Sequence, residues 1–220
     1  MKIAIHQPQF IPWLGYFDKM KEVDLFILLD NVQFKKNEFQ NRNKIKTSKG
    51  WQWLTVPARF HFGDKINEVK INNNCNWQNK HLQSIKTNYG KSPSFKNIYP
   101  YIEKLYSTTY DFLSPINYES ILLIKKIMDI NTHIVLASAI PNLSEEPTDR
   151  LIDICKFYKA DTYLAGAGGR NYMDCARFEK NRVRVKFQKF IHPIYKQLFD
   201  KFEPYMSSLD YLFNCTESLK

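Results

Sequence analysis

The chain has 220 residues, 44% hydrophobic and 15% aromatic with only 7 glycines, which excludes a disordered or collagen-like polymer. Its 32 Lys and Arg against 22 Asp and Glu give a net charge of +10, favouring an anionic partner unless the excess is a Lys- and Asn-rich bias spread over the surface. No apolar run is long enough to span a bilayer, and His6 with Gln7 interrupts the first one before it can act as a secretory signal. The cysteines Cys75, Cys155, Cys175 and Cys215 have no metal or disulfide spacing, so free thiols in a reducing, cytoplasmic compartment are expected.

In chain order, Lys2 to Ile5 reads as a buried strand, Trp13 to Met20 as a helix, and Val23 to Leu29 as a second strand ending in Asp30. Strand, helix and strand in this span have the size of one βαβ unit. Residues 31–50 are polar and basic and read as a long connection. Trp51 to Pro57 alternates like a half-buried strand, and Val69 to Ile71 is a shorter one. Helices follow from Asn76 to Tyr89 (His81, Ile85 and Tyr89 lie four apart, Gly90 as C-cap), from Phe95 to Tyr106, and from Tyr118 to Met128. His133 to Ala137 is a strand, Thr148 to Tyr158 a helix with Pro147 at its start, and Thr162 to Ala165 a strand. Val183 to Phe187 is the last strand, and part of Tyr195 to Leu212 is helical. Strands alternating with helices predict an α/β, Rossmann-like fold with a mainly parallel sheet, a small β insertion and a helical middle block. One domain over 1–220 is expected, with 77–130 a candidate helical cap.

In such folds ligands bind beyond the C-terminal ends of the strands, which is where His6, Gln7 and Asp30 fall. His6 is the acid–base candidate by position, against a hydrogen-bonded structural histidine. Asp30 is a second catalytic candidate that could hold a ribose hydroxyl, a metal or an amine, against a carboxylate that caps the following turn. Arg42, Asn43 and Lys44 concentrate cationic and polar groups that suit a diphosphate, against a merely solvated face. Gly166, Gly168, Gly169 and Arg170 follow a strand as a phosphate-cradling loop would, although they match neither GxGxxG nor a P-loop, and a tight turn explains them nearly as well. His192, within His-Pro-Ile-Tyr-Lys-Gln, is a minor candidate. The remaining histidines lack metal-ligand spacing, so no metal is expected, and no cofactor is assigned. Aromatics interleaved with lysines carry no RNP-type motif, so no nucleic-acid partner is expected.

The run from Ile5 to Met20, then Asp24 to Phe34, Asn41 to Lys46, Trp53 to Pro57, Tyr163 to Gly166, Tyr172 to Asp174 and His192 to Gln197 resembles the WbqC-like protein family over nearly the whole chain. The resemblance implies bacterial O-antigen or surface-polysaccharide biosynthesis, with transfer of glycine or another aminoacyl group onto a sugar. The implied partners are an anionic substrate (a sugar nucleotide or a phosphorylated or lipid-linked sugar) and an acyl or aminoacyl donor. In that picture His6 is a general base with a pKa near neutrality. Asp30 and Gln33 orient the substrate; Arg42, Lys44, Arg170 and the loop amides meet phosphates; Tyr172 belongs to the binding set. Phe10 to Tyr16 also resembles the HxGH nucleotidylyltransferases, with Trp13 and Tyr16 at the two histidine positions. That departure speaks against adenylyl transfer and leaves a nucleotide-binding shape. An ATP-dependent ligase and a non-enzymatic sugar-nucleotide-binding protein are the alternatives.

Overall fold

A computed structural model describes residues 1–171 and 173–216. In chain order its elements are β1 (Lys2–His6), α1 (Leu14–Lys21), β2 (Leu25–Leu28), β3 (Arg42–Thr47), β4 (Gly50–Thr55), β5 (Ala58–Arg59), β6 (Lys70–Ile71) and α2 (Trp77–Tyr89). There follow α3 (Phe95–Ser107), α4 (Leu113–Ile127), β7 (His133–Leu136), α5 (Pro147–Phe157), β8 (Thr162–Ala165), α6 (Cys175–Lys180), β9 (Arg184–Phe187) and α7 (Ser208–Asn214). The fold is α/β, as the alternation of strands and helices predicts. The chain forms two compact units, one of residues 1–7, 15–31 and 130–191, the other of residues 8–14, 32–129 and 192–220. No helix among the described residues is long and apolar enough to cross a membrane.

The first unit is built on a five-stranded parallel sheet in the order β7-β2-β1-β8-β9. β2 and β8 are buried throughout and β1 at its three central residues, as strands covered on both faces should be. Side chains alternate between the faces. Ile3, Ile5, Leu25, Ile27 and Tyr163 pack with Ile152 and Cys155 of α5 and Phe178 of α6. On the other face α1 sets Tyr16 against Phe26, ring centroids 5.1 Å apart. That helices change face where the strand order reverses follows from the right-handed crossover of parallel strands.

The second unit holds two small ladders, β3 with β4 and β5 with β6, both antiparallel, together with α2, α3, α4 and α7. The four-residue spacing expected for α2 is present, with Trp77, His81, Ile85 and Tyr89 all buried. Tyr89 stacks on Phe213 of α7 at 4.9 Å. Two readings of the sequence change here. Residues 42–47 are a strand, not part of a connection, because a polar Asn43 occupies an inward position beside Ile45 and disguises the alternation. α4 begins at Leu113, earlier than Tyr118, since Pro115 sits in its first turn, where a missing N–H costs no hydrogen bond.

Candidate functional site

From β1 the sheet grows one way through β2 to β7, then the chain returns to add β8 and β9 on the other side of β1. The growth direction therefore reverses between β1 and β8, and loops that leave such a pair in opposite senses open a crevice beyond the strand ends. The register pairs Lys2 with Thr162 and Ala4 with Leu164, so His6 comes level with Gly166. The two segments singled out in the sequence, His6–Gln7 and Gly166–Arg170, thus leave the sheet at its switch point.

The His6 ring is oriented from two sides. Its Nδ1 lies 3.1 Å from the Gln7 carbonyl oxygen, which assigns the proton to Nδ1 and the lone pair to Nε2. Tyr16 meets the ring edge-on at 4.7 Å and 70°, and its hydroxyl donates to the same Gln7 oxygen at 3.3 Å. Burial, with a smaller contribution from the Lys19 ammonium and an opposing one from Gln7, pushes the imidazole down to about 3. That direction runs away from the near-neutral pKa expected of a general base. Lys19, on α1, is 2% exposed and donates to the Ile5 carbonyl at 3.1 Å. Burial lowers its pKa to about 7. Burial also raises the Tyr16 phenol well above its usual value, so it stays protonated.

Around the glycine segment, Ala167–Asn171 winds into one 3₁₀ stretch, with the Gly169 N–H donating to Gly166 O at 2.9 Å. A Cβ on Gly166 or Gly168 would meet nothing within 4 Å, which leaves the backbone open to close approach. Gly169 differs: a Cβ there would lie 2.9 Å from Met173 Sδ and 3.4 Å from Phe187 Cε1. Arg170 is exposed, its guanidinium carbon 5.2 Å from the Phe187 ring centroid. Tyr172 lies outside the described residues. Asp30 is 1% exposed, and its two oxygens accept from Ser138 N (2.9 Å) and Ser138 Oγ (2.6 Å). Its carboxylate therefore fixes the turn that leaves β7.

The other residues singled out belong to the second unit. Trp13 forms an isolated bridge with Ser207 and meets Tyr205 at 5.8 Å. Gln33 is exposed and bridges Lys65. Asn43, 1% exposed, donates to Phe10 O (3.2 Å) and Ile11 O (2.8 Å). Arg42 lies over Trp53 at 4.1 Å and Lys44 over Trp51 at 4.0 Å. His192 has both ring nitrogens engaged by backbone: Nδ1 donates to Pro193 O at 2.8 Å, and Nε2 accepts from Tyr205 N at 3.2 Å. Burial lowers its pKa, against the opposing effects of Pro193 O and Asp210.

Three polar residues escaped the sequence reading. Lys19 looks like the solvated lysine of an amphipathic helix. Gln188, following β9, donates to Gly15 O (2.8 Å) and to Asp18 Oδ2 (2.7 Å) and so ties that strand end to α1. Asp210, fully buried, accepts from Tyr89 (2.8 Å), Tyr195 (2.7 Å) and Gln197 (2.7 Å). The polar His192–Gln197 segment is thus half of a buried network whose centre lies in α7. A short polar segment with a second polar residue on an apolar helix is the signal that would have found it.

The WbqC-like protein family model matches residues 7–220. The protein named "Uncharacterized protein Rv1507c" from Mycobacterium tuberculosis is 36% identical over 219 residues, spanning 97% of this chain and 93% of that one. No solved structure matches the chain at a significant level.

Proposed function

The chain belongs to the WbqC-like protein family, and we propose that it is an acyl transferase of surface-polysaccharide assembly. It forms an amide on an amino sugar carried by a nucleotide or lipid diphosphate, with an activated aminoacyl compound as donor. The observation that carries this reading is the His6 imidazole at the sheet's switch point, with Nδ1–H held by Gln7 O and its ring set by Tyr16. The sugar amine attacks the donor carbonyl carbon; the C–N bond forms and the bond from the acyl carbon to the leaving group breaks. The proton that the nitrogen must shed goes to His6 Nε2. Burial keeps the ring in its unprotonated form at neutral pH, with the Nε2 lone pair as the acceptor. Gly166 and Gly168 leave room for the sugar or its phosphate, and the exposed Arg170 supplies charge.

The test is a transfer assay with a UDP-amino sugar and a panel of aminoacyl donors (thioester, adenylate and aminoacyl-tRNA), read by mass spectrometry of the sugar nucleotide. His6→Ala is expected to lower turnover by about two to four orders of magnitude while the melting temperature stays near wild type. Unchanged turnover per folded molecule would remove His6 from the reaction. No amide product with any donor would remove the transferase reading.

A further inference from the structure

The β3–β4 hairpin carries a feature that the transfer reaction does not use. Its register sets Lys44 opposite Trp53 and Lys46 opposite Trp51. The two-residue period then gathers Arg42, Lys44, Trp51 and Trp53 on one face, opposite the buried Asn43, Ile45 and Leu54. The cations are stacked on the indoles: Arg42 on Trp53 at 4.1 Å, and Lys44 on Trp51 at 4.0 Å and on Trp53 at 5.3 Å. Trp51 and Trp53 meet edge-on at 5.4 Å, and Trp51 is 43% exposed. Asn37 pins the other side of the Arg42 guanidinium, which donates to its side-chain and backbone oxygens.

A further observation points to an anionic ligand. Among the described residues neither Arg42 nor Lys44 has a carboxylate within ion-pair distance, although the protein forms several such pairs elsewhere. The spacing suits two phosphates: residues two apart on a strand stand about 7 Å apart, the reach of a diphosphate between two cations. Because the indoles already hold the side chains in place, little rotamer entropy is lost on binding. Beside this face the same unit has a cavity of about 850 Å³ lined by Lys46, Lys49, Trp51, Asp200, Lys201 and Glu203. Its carboxylates and ammonium groups are hydrogen-bond partners for sugar hydroxyls.

We propose that the hairpin face is a binding site for a sugar diphosphate, with the two phosphates on Arg42 and Lys44 and the sugar directed toward the Asp200–Glu203 cavity. The inference rests on the hairpin alone and stands whether or not His6 acts as a base. It is tested with the full chain by titration calorimetry and tryptophan fluorescence at low salt. The probes are inorganic pyrophosphate, a UDP-hexosamine, a prenyl-diphosphate hexose in detergent micelles, and a single-stranded oligonucleotide. Pyrophosphate and at least one sugar diphosphate are expected to bind and to perturb the indole emission; the preferred sugar diphosphate tells the soluble source from the lipid one. Arg42→Gln with Lys44→Gln is expected to weaken binding about ten- to hundredfold. The hairpin variants are read by pyrophosphate affinity and the reaction above by amide product, which separates failure of this site from failure of that reaction. Three results would overturn the proposal: no binding of any diphosphate, equal affinity in the double variant with a wild-type melting temperature, or tighter binding of the oligonucleotide than of every diphosphate. Should the double variant fail to fold, Lys44→Met, which keeps the stem on Trp51, must by itself weaken pyrophosphate binding at least severalfold.

Discussion

Histidines 6, 81 and 192 are all held below the ordinary imidazole pKa, chiefly by burial. His81 is 6% exposed, with Nδ1 beside the Tyr106 hydroxyl and Nε2 beside Thr55 O, both at 3.1 Å, and burial lowers its pKa to about 4. Between pH 6.5 and about 4 the unfolded chain therefore binds a proton at this site that the folded chain does not. Stability is full above that window and falls as pH drops through it, by on the order of 3 kcal/mol from this residue. Denaturant titrations at pH 7 and pH 4.5 should show the loss, and His81→Gln should flatten it. His6 acts in the same direction with a lower endpoint near pH 3. Asn43 gives a second expectation. It holds the carbonyl of Ile11, a β-branched residue at φ 43°, where such residues are strained. Asn43→Ala orphans two buried acceptors and should lower stability by about 1–3 kcal/mol for each, measured by urea unfolding. His6 could be found in the sequence because a strand end is visible as the stop of an apolar run. Lys19 and Asp210 could not, since the carbonyl that meets one and the tyrosines that meet the other come from other segments of the chain.

Among the elements, the 3₁₀ stretch after β8 separates two glycines that look alike in sequence. Gly168 faces open space, so Gly168→Ala should leave the melting temperature unchanged. Gly169→Ala places a methyl group 2.9 Å from Met173 Sδ and 3.4 Å from Phe187 Cε1, so the Met173 thioether must shift, at a cost of about 1 kcal/mol. Equal melting temperatures for the two variants would show that the stretch rearranges freely. The parallel strands were legible because burial on both faces demands continuous apolar residues, as in Leu25–Leu28 and Thr162–Ala165. β3 was not, because Arg-Asn-Lys-Ile-Lys-Thr is poor in strand formers and its inward Asn43 is kept there by hydrogen bonds to Phe10 and Ile11. The helix α6 was missed for a related reason: it buries little beyond Phe178.

For the whole molecule, the net charge of +10 makes anion binding sensitive to ionic strength. Raising salt from about 0.05 to 0.5 M shortens the screening length from roughly 14 to 4 Å, so pyrophosphate affinity should fall steeply across that range; calorimetry showing no change would mean that charge does not guide the ligand. α/β class and parallel pairing were readable from the alternation of strands and helices. The division of the chain was not, because its six segments alternate between the two units with no linker-like composition to mark the five crossings.

The position of β1 has a further consequence for biosynthesis. This strand is the third of five in its sheet, yet it is translated first, and its partner on one side, β8, begins 160 residues later, at Thr162 for Lys2. At about 5–20 residues per second, a ribosome needs roughly 8–32 s to deliver that partner. β2 follows within seconds, so Ile3, Ala4 and Ile5 wait with one backbone edge unpaired while the residues of the other unit emerge. Nascent chains halted before Thr162 should therefore be bound by chaperones and cut readily by protease, and chains released beyond Phe187 should resist both.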